Sequence, residues 1–177
     1  MRRSLPCLLL LLLALGACGG DDGDDSTAQT SQPTSKTTEE PSPSALRKAL
    51  KDTATKPVIP KPAGSPPRKL VEEDIVKGKG PAAKPGDTLV VNYVGVAFST
   101  GKQFDASWDR GQPFAVPLGA HKVIKGWDRG LVGMRKGGRR LLTIPPELAY
   151  GSEGYPPAIA PNETLIFVVD AVSVKPG

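Results

Sequence analysis

All nine aromatic residues of this 177-residue chain lie in one stretch, from Tyr93 to Phe167. Aromatic side chains carry the largest apolar surfaces a core can bury, so the packed part of the protein must be built around that stretch. The segment from Gly19 to about Pro67 is instead rich in Asp, Ser, Thr, Pro and Lys and poor in large apolar residues. Such a composition cannot bury enough surface to offset chain entropy. Residues 18–67 therefore read as a flexible tether, stiffer toward KPVIPKPAGSPP, where proline favours extended polyproline II geometry. Within it, SALRKALKD (44–52) follows a Ser cap and reads as a transient helix in a solvated linker.

Arg2 and Arg3 precede an apolar run of 13 residues, Leu5 to Ala17. A membrane-spanning helix needs roughly 20, so the run reads as the hydrophobic region of a secretory signal. It ends in Leu15-Gly16-Ala17-Cys18, which resembles the bacterial lipobox, where the cysteine becomes thioether-linked to diacylglycerol and is the new N-terminus after cleavage. Residues 1–17 are thus the expected signal peptide and Cys18 the lipidation site. Cys7 would leave with the signal, and a single remaining cysteine forms no internal disulfide. Two or more acyl chains make anchoring stable, which predicts an extracytoplasmic protein lipid-anchored to a bacterial cell membrane. The formal charge is +5; loss of Arg2 and Arg3 takes the 23 basic residues to 21 against 18 acidic. The bases are dispersed, and no basic stripe for nucleic acid is present.

From Lys69 the pattern changes. KLVEEDIVKG reads as a strand. DTLVVNYVGVAF (87–98) reads as a longer one, introduced by the turn signal Lys84-Pro85-Gly86-Asp87. Short strands follow around Gln103–Ala106 and Phe114–Leu118, and RRLLTIPP and TLIFVVDAVSV (164–174) supply two more. VIKGWDRGLVGM (123–134) places Val123, Ile124, Trp127 and Leu131 on one helical stripe, and its glycines keep the helix short. Strands with one short helix imply an α+β domain, an antiparallel sheet curling over that helix, spanning residues 68–177.

Tyr93 and Phe167 can face the helix from alternating strand positions, and Trp127 sits on the helix stripe. Phe104, Phe114, Tyr150 and Tyr155 fall at strand ends or in loops, where a core does not need them. Aromatics in such places read as the wall of a pocket. Asp105 and Asp109 admit a hydrolase reading as acid and base, but four residues apart they need not face each other, and Asp109-Arg110 also reads as a surface ion pair or turn. His121 is the only histidine and no cysteine cluster exists, so zinc spacing cannot be assembled; no metal or other cofactor is expected.

NYVG (92–95), FDASWDR (104–110), VIKGWDRGLVGM (123–134), GGRRLLTIPPELAYG (137–151) and TLIFVVD (164–170), in this order and spacing, resemble the FKBP-type peptidyl-prolyl cis/trans isomerases over about residues 68–175. The resemblance implies a five- to six-stranded antiparallel half-barrel wrapped around one short helix. It implies Trp127 at the floor of the pocket, Tyr93, Phe104, Phe114 and Phe167 in its walls, and Val123 and Ile124 at the start of the helix. Tyr150 and Ile159 match pocket positions on the loop before the last strand, with Tyr155 where an aromatic or histidine is frequent. Asp105 matches the acid beside the pocket and Arg110 its arginine partner. Phe98 and Trp108 are left as packing residues.

The expected partners are proline-containing peptides and unfolded exported proteins, the membrane through Cys18, and macrolide inhibitors; the expected state is a monomer. The other reading is a non-catalytic module or holdase that grips proline segments in the same pocket. The chain departs from the family pattern at Ala158 and Ala160 in the loop YPPAIAP (155–161), and at Lys122, where some members carry an acid.

Overall fold

The computed structural model describes residues 48–177. The expected signal segment, Cys18 and the tether up to residue 47 lie outside the described residues. Six strands form one sheet: β1 (Val71–Val76), β2 (Thr88–Ala97), β3 (Gln103–Ala106), β4 (Phe114–Pro117), β5 (Arg139–Ile144) and β6 (Leu165–Lys175). Their order is β1-β5-β6-β2-β3, with β4 beside the first half of β2, and every pairing is antiparallel. The helix α1 (Lys125–Gly130) covers one face. It is shorter than the stripe over 123–134 suggested, because the chain turns at Gly133 (φ 84°) and the Gly133 N–H bonds Ala83 O at 2.7 Å.

Alternation along the two long strands divides their side chains between two layers. Leu89, Val91, Tyr93, Leu165, Phe167 and Val169 join Trp127 and Leu131 in the main core. The residues between them do not face water. Val94, Val96, Ala106 and Ile166 form a second buried cluster, closed by Ile59, Phe98 and Trp108. The sheet is therefore covered on both faces at its centre.

Ile59 belongs to the segment that the sequence suggested would be free tether, and here the reading needs correction. Residues 48–50 are helical, and both Leu50 and Pro57 are buried. Lys61 passes so close to Gly101 that a side chain there would strike its backbone. Residues 48–66 thus form a strap held against the sheet, and the chain is packed well before the boundary expected at 67/68. Composition misleads here because few large apolar side chains hold this strap, and its own carbonyl groups hold much of it.

The donor is Arg139, fully buried at 0% exposure. It pairs with Asp170, and its guanidinium also donates to Leu50 O at 3.0 Å, Asp52 O at 2.8 Å and Thr55 O at 3.0 Å. Its neighbour Arg140 points the other way, as successive strand residues must. Arg140 donates to Gly130 O at 2.8 Å and Val132 O at 2.9 Å, where the last carbonyls of α1 have no helical partner, and pairs with Asp74. One Arg-Arg step at the start of β5 therefore fastens the helix to one face and the strap to the other.

Candidate functional site

On the helix side of the sheet an open cavity of about 230 Å³ is bounded by Tyr93, Phe104, Asp105, Phe114 and Phe167 from the strands and by Val123, Ile124, Trp127 and Tyr150 from the helix start and the long loop; Lys122 is at its rim. Trp127 is the hub. Its indole meets Tyr93 at 5.0 Å and 86°, Phe167 at 5.2 Å and 79°, and Phe114 at 6.3 Å and 65°, while Phe104 stands edge-on to Phe167 at 5.5 Å. These edge-to-face contacts are the favoured geometry for aromatic quadrupoles, and they turn positive ring edges toward neighbouring faces and the cavity between them.

Local sequence sets this geometry. The β2–β6 register puts Gly95 opposite Phe167, and Gly95 pairs with Asp105 of β3. A methyl group at Gly95 would lie 2.7 Å from Phe104 Cζ and 2.7 Å from Phe167 Cε1, so only glycine lets the two rings converge there. Gly95 was missed among the candidate residues, although a lone glycine within a strand pattern signals close approach. Gly95→Ala is expected to lower stability by about 1–3 kcal/mol through overpacking and to distort the pocket, read by denaturant unfolding and by turnover of a proline peptide.

Polar groups border one wall. The Tyr93 hydroxyl donates to Asp105, Arg110 donates to the other Asp105 oxygen, and Arg110 Nη2 donates to Tyr93 Oη at 2.8 Å. The guanidinium also lies 5.6 Å from the Tyr93 ring centre. This closed triangle fixes the Tyr93 ring and holds the carboxylate at the pocket edge. Burial, then the bond to Asp105, pushes the Tyr93 phenol up to about 12. A phenol raised above its unfolded value near 10 supports the fold fully below that pH and loses its contribution as pH rises through 12. The hydroxyl therefore stays a donor throughout the neutral range, and peptide turnover should be flat from about pH 6 to 9; a bell-shaped profile there would contradict this arrangement.

Three expected site residues are not among those that bound the cavity. Arg110 is behind the wall, acting on Asp105 and Tyr93. Tyr155 is 63% exposed and stacks on Tyr150 at 5.8 Å. Ile159 is buried in the main core and bonded to Tyr155 through both backbone groups at 2.9 Å, so it shapes the loop from beneath. Tyr150 is partly exposed, and its hydroxyl has no hydrogen-bond partner among the described residues. Burial and the Asp105 charge both raise its phenol.

The acid/base pair does not form. Asp109 accepts from Lys56 and from Gln103, and Asp105 is held by Tyr93 and Arg110. The Asp109-Arg110 ion pair does not form either; both residues lie in a 3-10 turn. A larger cleft of about 390 Å³ beside β1 and β5 is lined by Asp74, Lys77, Met134, Arg135 and Arg140. It contains no aromatic residue, and its buried arginine already holds α1 in place.

The model of the family described as FKBP-type peptidyl-prolyl cis-trans isomerase matches residues 80–172. The chain belongs to that family. It is 57% identical over 120 residues to an FK506-binding protein of Streptomyces anulatus, covering 67% of this chain and 97% of the relative. It is 50% identical over 118 residues to a probable FK506-binding protein of Corynebacterium glutamicum, covering 67% and 98%. The crystal structure of FkpA from Escherichia coli superposes with a TM-score of 0.55 at 48% identity, over 60% of this chain and 48% of that one. This FKBP-type protein is accordingly a peptidyl-prolyl cis-trans isomerase, and its six-stranded sheet around one short helix is the family's fold.

Proposed function

We propose that the Trp127 cavity is where the isomerase twists X–Pro bonds, and that its clients are exported, proline-containing proteins. The observation that carries the reading is the convergence of six aromatic rings and a bound carboxylate on one open cavity of about 230 Å³.

The barrier to rotation, about 18–20 kcal/mol, comes from amide resonance. No bond is made or broken; the C–N bond must lose double-bond character and turn. The planar amide is the more dipolar state, so water stabilises it over the twisted one. An apolar cavity removes that solvation and binds the twisted state better, which is the condition for catalysis. The proline ring rests on the Trp127 indole. The carbonyl before it, turned out of the amide plane, meets the ring edges of Tyr93, Phe104 and Phe167 beside Asp105. The Tyr150 hydroxyl and the Ile124 N–H donate to the flanking peptide backbone. Asp105 orients Tyr93 and sets the field along one wall; it transfers no proton.

Cys18 carries the lipid in this reading and holds the domain outside the membrane, where ATP is absent and the reaction needs none. Relatives named for binding FK506 support macrolides as ligands of the same cavity. The protein acts as a monomer, since one chain supplies the whole pocket. The test is the refolding of a protein whose slow phase is X–Pro isomerisation, tens to hundreds of seconds uncatalysed. The chain should shorten that phase catalytically. A phase left unshortened while the chain still binds the refolding protein would favour a holdase. The chain expressed in the source cell with labelled fatty acid should incorporate the label and a Cys18→Ser variant should not; equal labelling of the two would remove Cys18 as the anchor.

A further inference from the structure

Once the pocket's own salt links are counted, its rim is left electrically lopsided. Among the described residues Asp105 is the only carboxylate in the lining, and it is engaged by Arg110 and the Tyr93 hydroxyl. Asp128, on the helix beside the cavity, is largely buried and accepts from the Gly119 N–H at 3.1 Å and the His121 N–H at 3.0 Å, with the His121 ring at 3.2 Å. Lys122 is exposed at the cavity mouth and has no ion-pair partner among the described residues. A proline segment entering the cavity meets one uncompensated cation directly, with exposed Lys125 a few residues on.

We propose that Lys122 makes this isomerase select proline segments with an acidic side chain within one residue of the proline. The inference rests on the Trp127 cavity being the catalytic site. Its expected size is that of two exposed unit charges about 6 Å apart in water, a factor of about 3 in each direction. Attraction for Glu and repulsion of Lys then give a ratio of about 10 in kcat/KM between otherwise identical peptides. The exposed pair is screened, so the ratio should collapse toward 1 near 1 M salt, where the Debye length is about 3 Å.

The experiment uses the full chain and two peptide series, one varying the residue before proline and one the residue after, each with Glu, Leu and Lys. The expected result is a Glu-to-Lys ratio well above 1 in at least one series, inverted by Lys122→Glu and set near 1 by Lys122→Gln. Ratios are read, so a general loss of activity in a variant cancels. Ratios near 1 in both series, or a preference untouched by Lys122→Glu, would overturn the inference while leaving the pocket in place. Turnover of the Leu peptides left unchanged by Trp127→Leu would instead overturn the pocket reading, and this inference with it.

Discussion

Replacing Arg139 with Met is expected to lower the free energy of unfolding by about 3–5 kcal/mol, the usual penalty for removing one partner of a buried ion pair. An arginine has five N–H donors, and all five are engaged here, two on Asp170 and three on the carbonyls of Leu50, Asp52 and Thr55. Methionine fills the stem's volume, but it leaves a buried carboxylate without a counter-charge and three strap carbonyls without donors. Burial raises the Asp170 carboxyl even with Arg139 opposing that rise. A carboxyl raised in the folded state supports folding below its unfolded value near 3.9 and loses that contribution as pH climbs through the folded value. The deficit of Arg139→Met should therefore be largest at neutral pH and shrink on acidification. Denaturant unfolding at several pH values reads both effects, and Arg139→Met with Asp170→Leu should recover much of the loss. Peptide turnover by the folded fraction should persist, because the strap and the pocket lie on opposite faces of the sheet.

Trp127→Leu is expected to reduce kcat/KM for a Leu-Pro peptide by about 10- to 100-fold, the equivalent of losing most of one buried apolar surface of about 1.5–3 kcal/mol at the transition state. Trp127 is 3% exposed and contacts three of the pocket's rings. Leucine keeps the site apolar, and although it leaves a void where the indole was, the fold should survive with reduced stability. What it removes is the flat floor that the proposed mechanism uses to hold the proline ring while the amide turns. The loss should therefore appear in kcat as well as in KM. A loss confined to KM would mean the indole binds planar and twisted amides alike.

Much of this was legible in the sequence because the relevant signals are local. Alternation in TLVVNYVGVA and LIFVVDAVSVK marks the two long strands, and the position of each aromatic on a strand, helix or loop decides whether it faces the core or the cavity. The strap was not legible. Its segment has the composition of a linker, and what holds it is a guanidinium 84 to 89 residues away that binds main-chain carbonyls, which every residue possesses. The partner of that guanidinium was equally hidden, since Arg139 and Arg140 are identical in sequence and separated only by the sheet's alternation. Which loop residues bound the cavity was hidden for a related reason: Tyr150 does, while Ile159 packs into the core with Trp127, and spacing alone does not choose between the two.

The central claim is that X–Pro bonds turn in the aromatic cavity, and the two tryptophans allow it to be tested in one spectrum. Trp108 lies in the outer cluster and Trp127 in the cavity; the indole N–H of each is buried without a partner among the described residues. The measurement is NMR of the full chain, labelled at the indole nitrogens, as a Leu-Pro peptide is added. The account predicts exchange cross-peaks between the cis and trans peptide at substoichiometric protein, together with a shift of the Trp127 indole signal and a stationary Trp108. Exchange that leaves Trp127 unmoved, or that moves only Trp108, would place the chemistry elsewhere on the molecule.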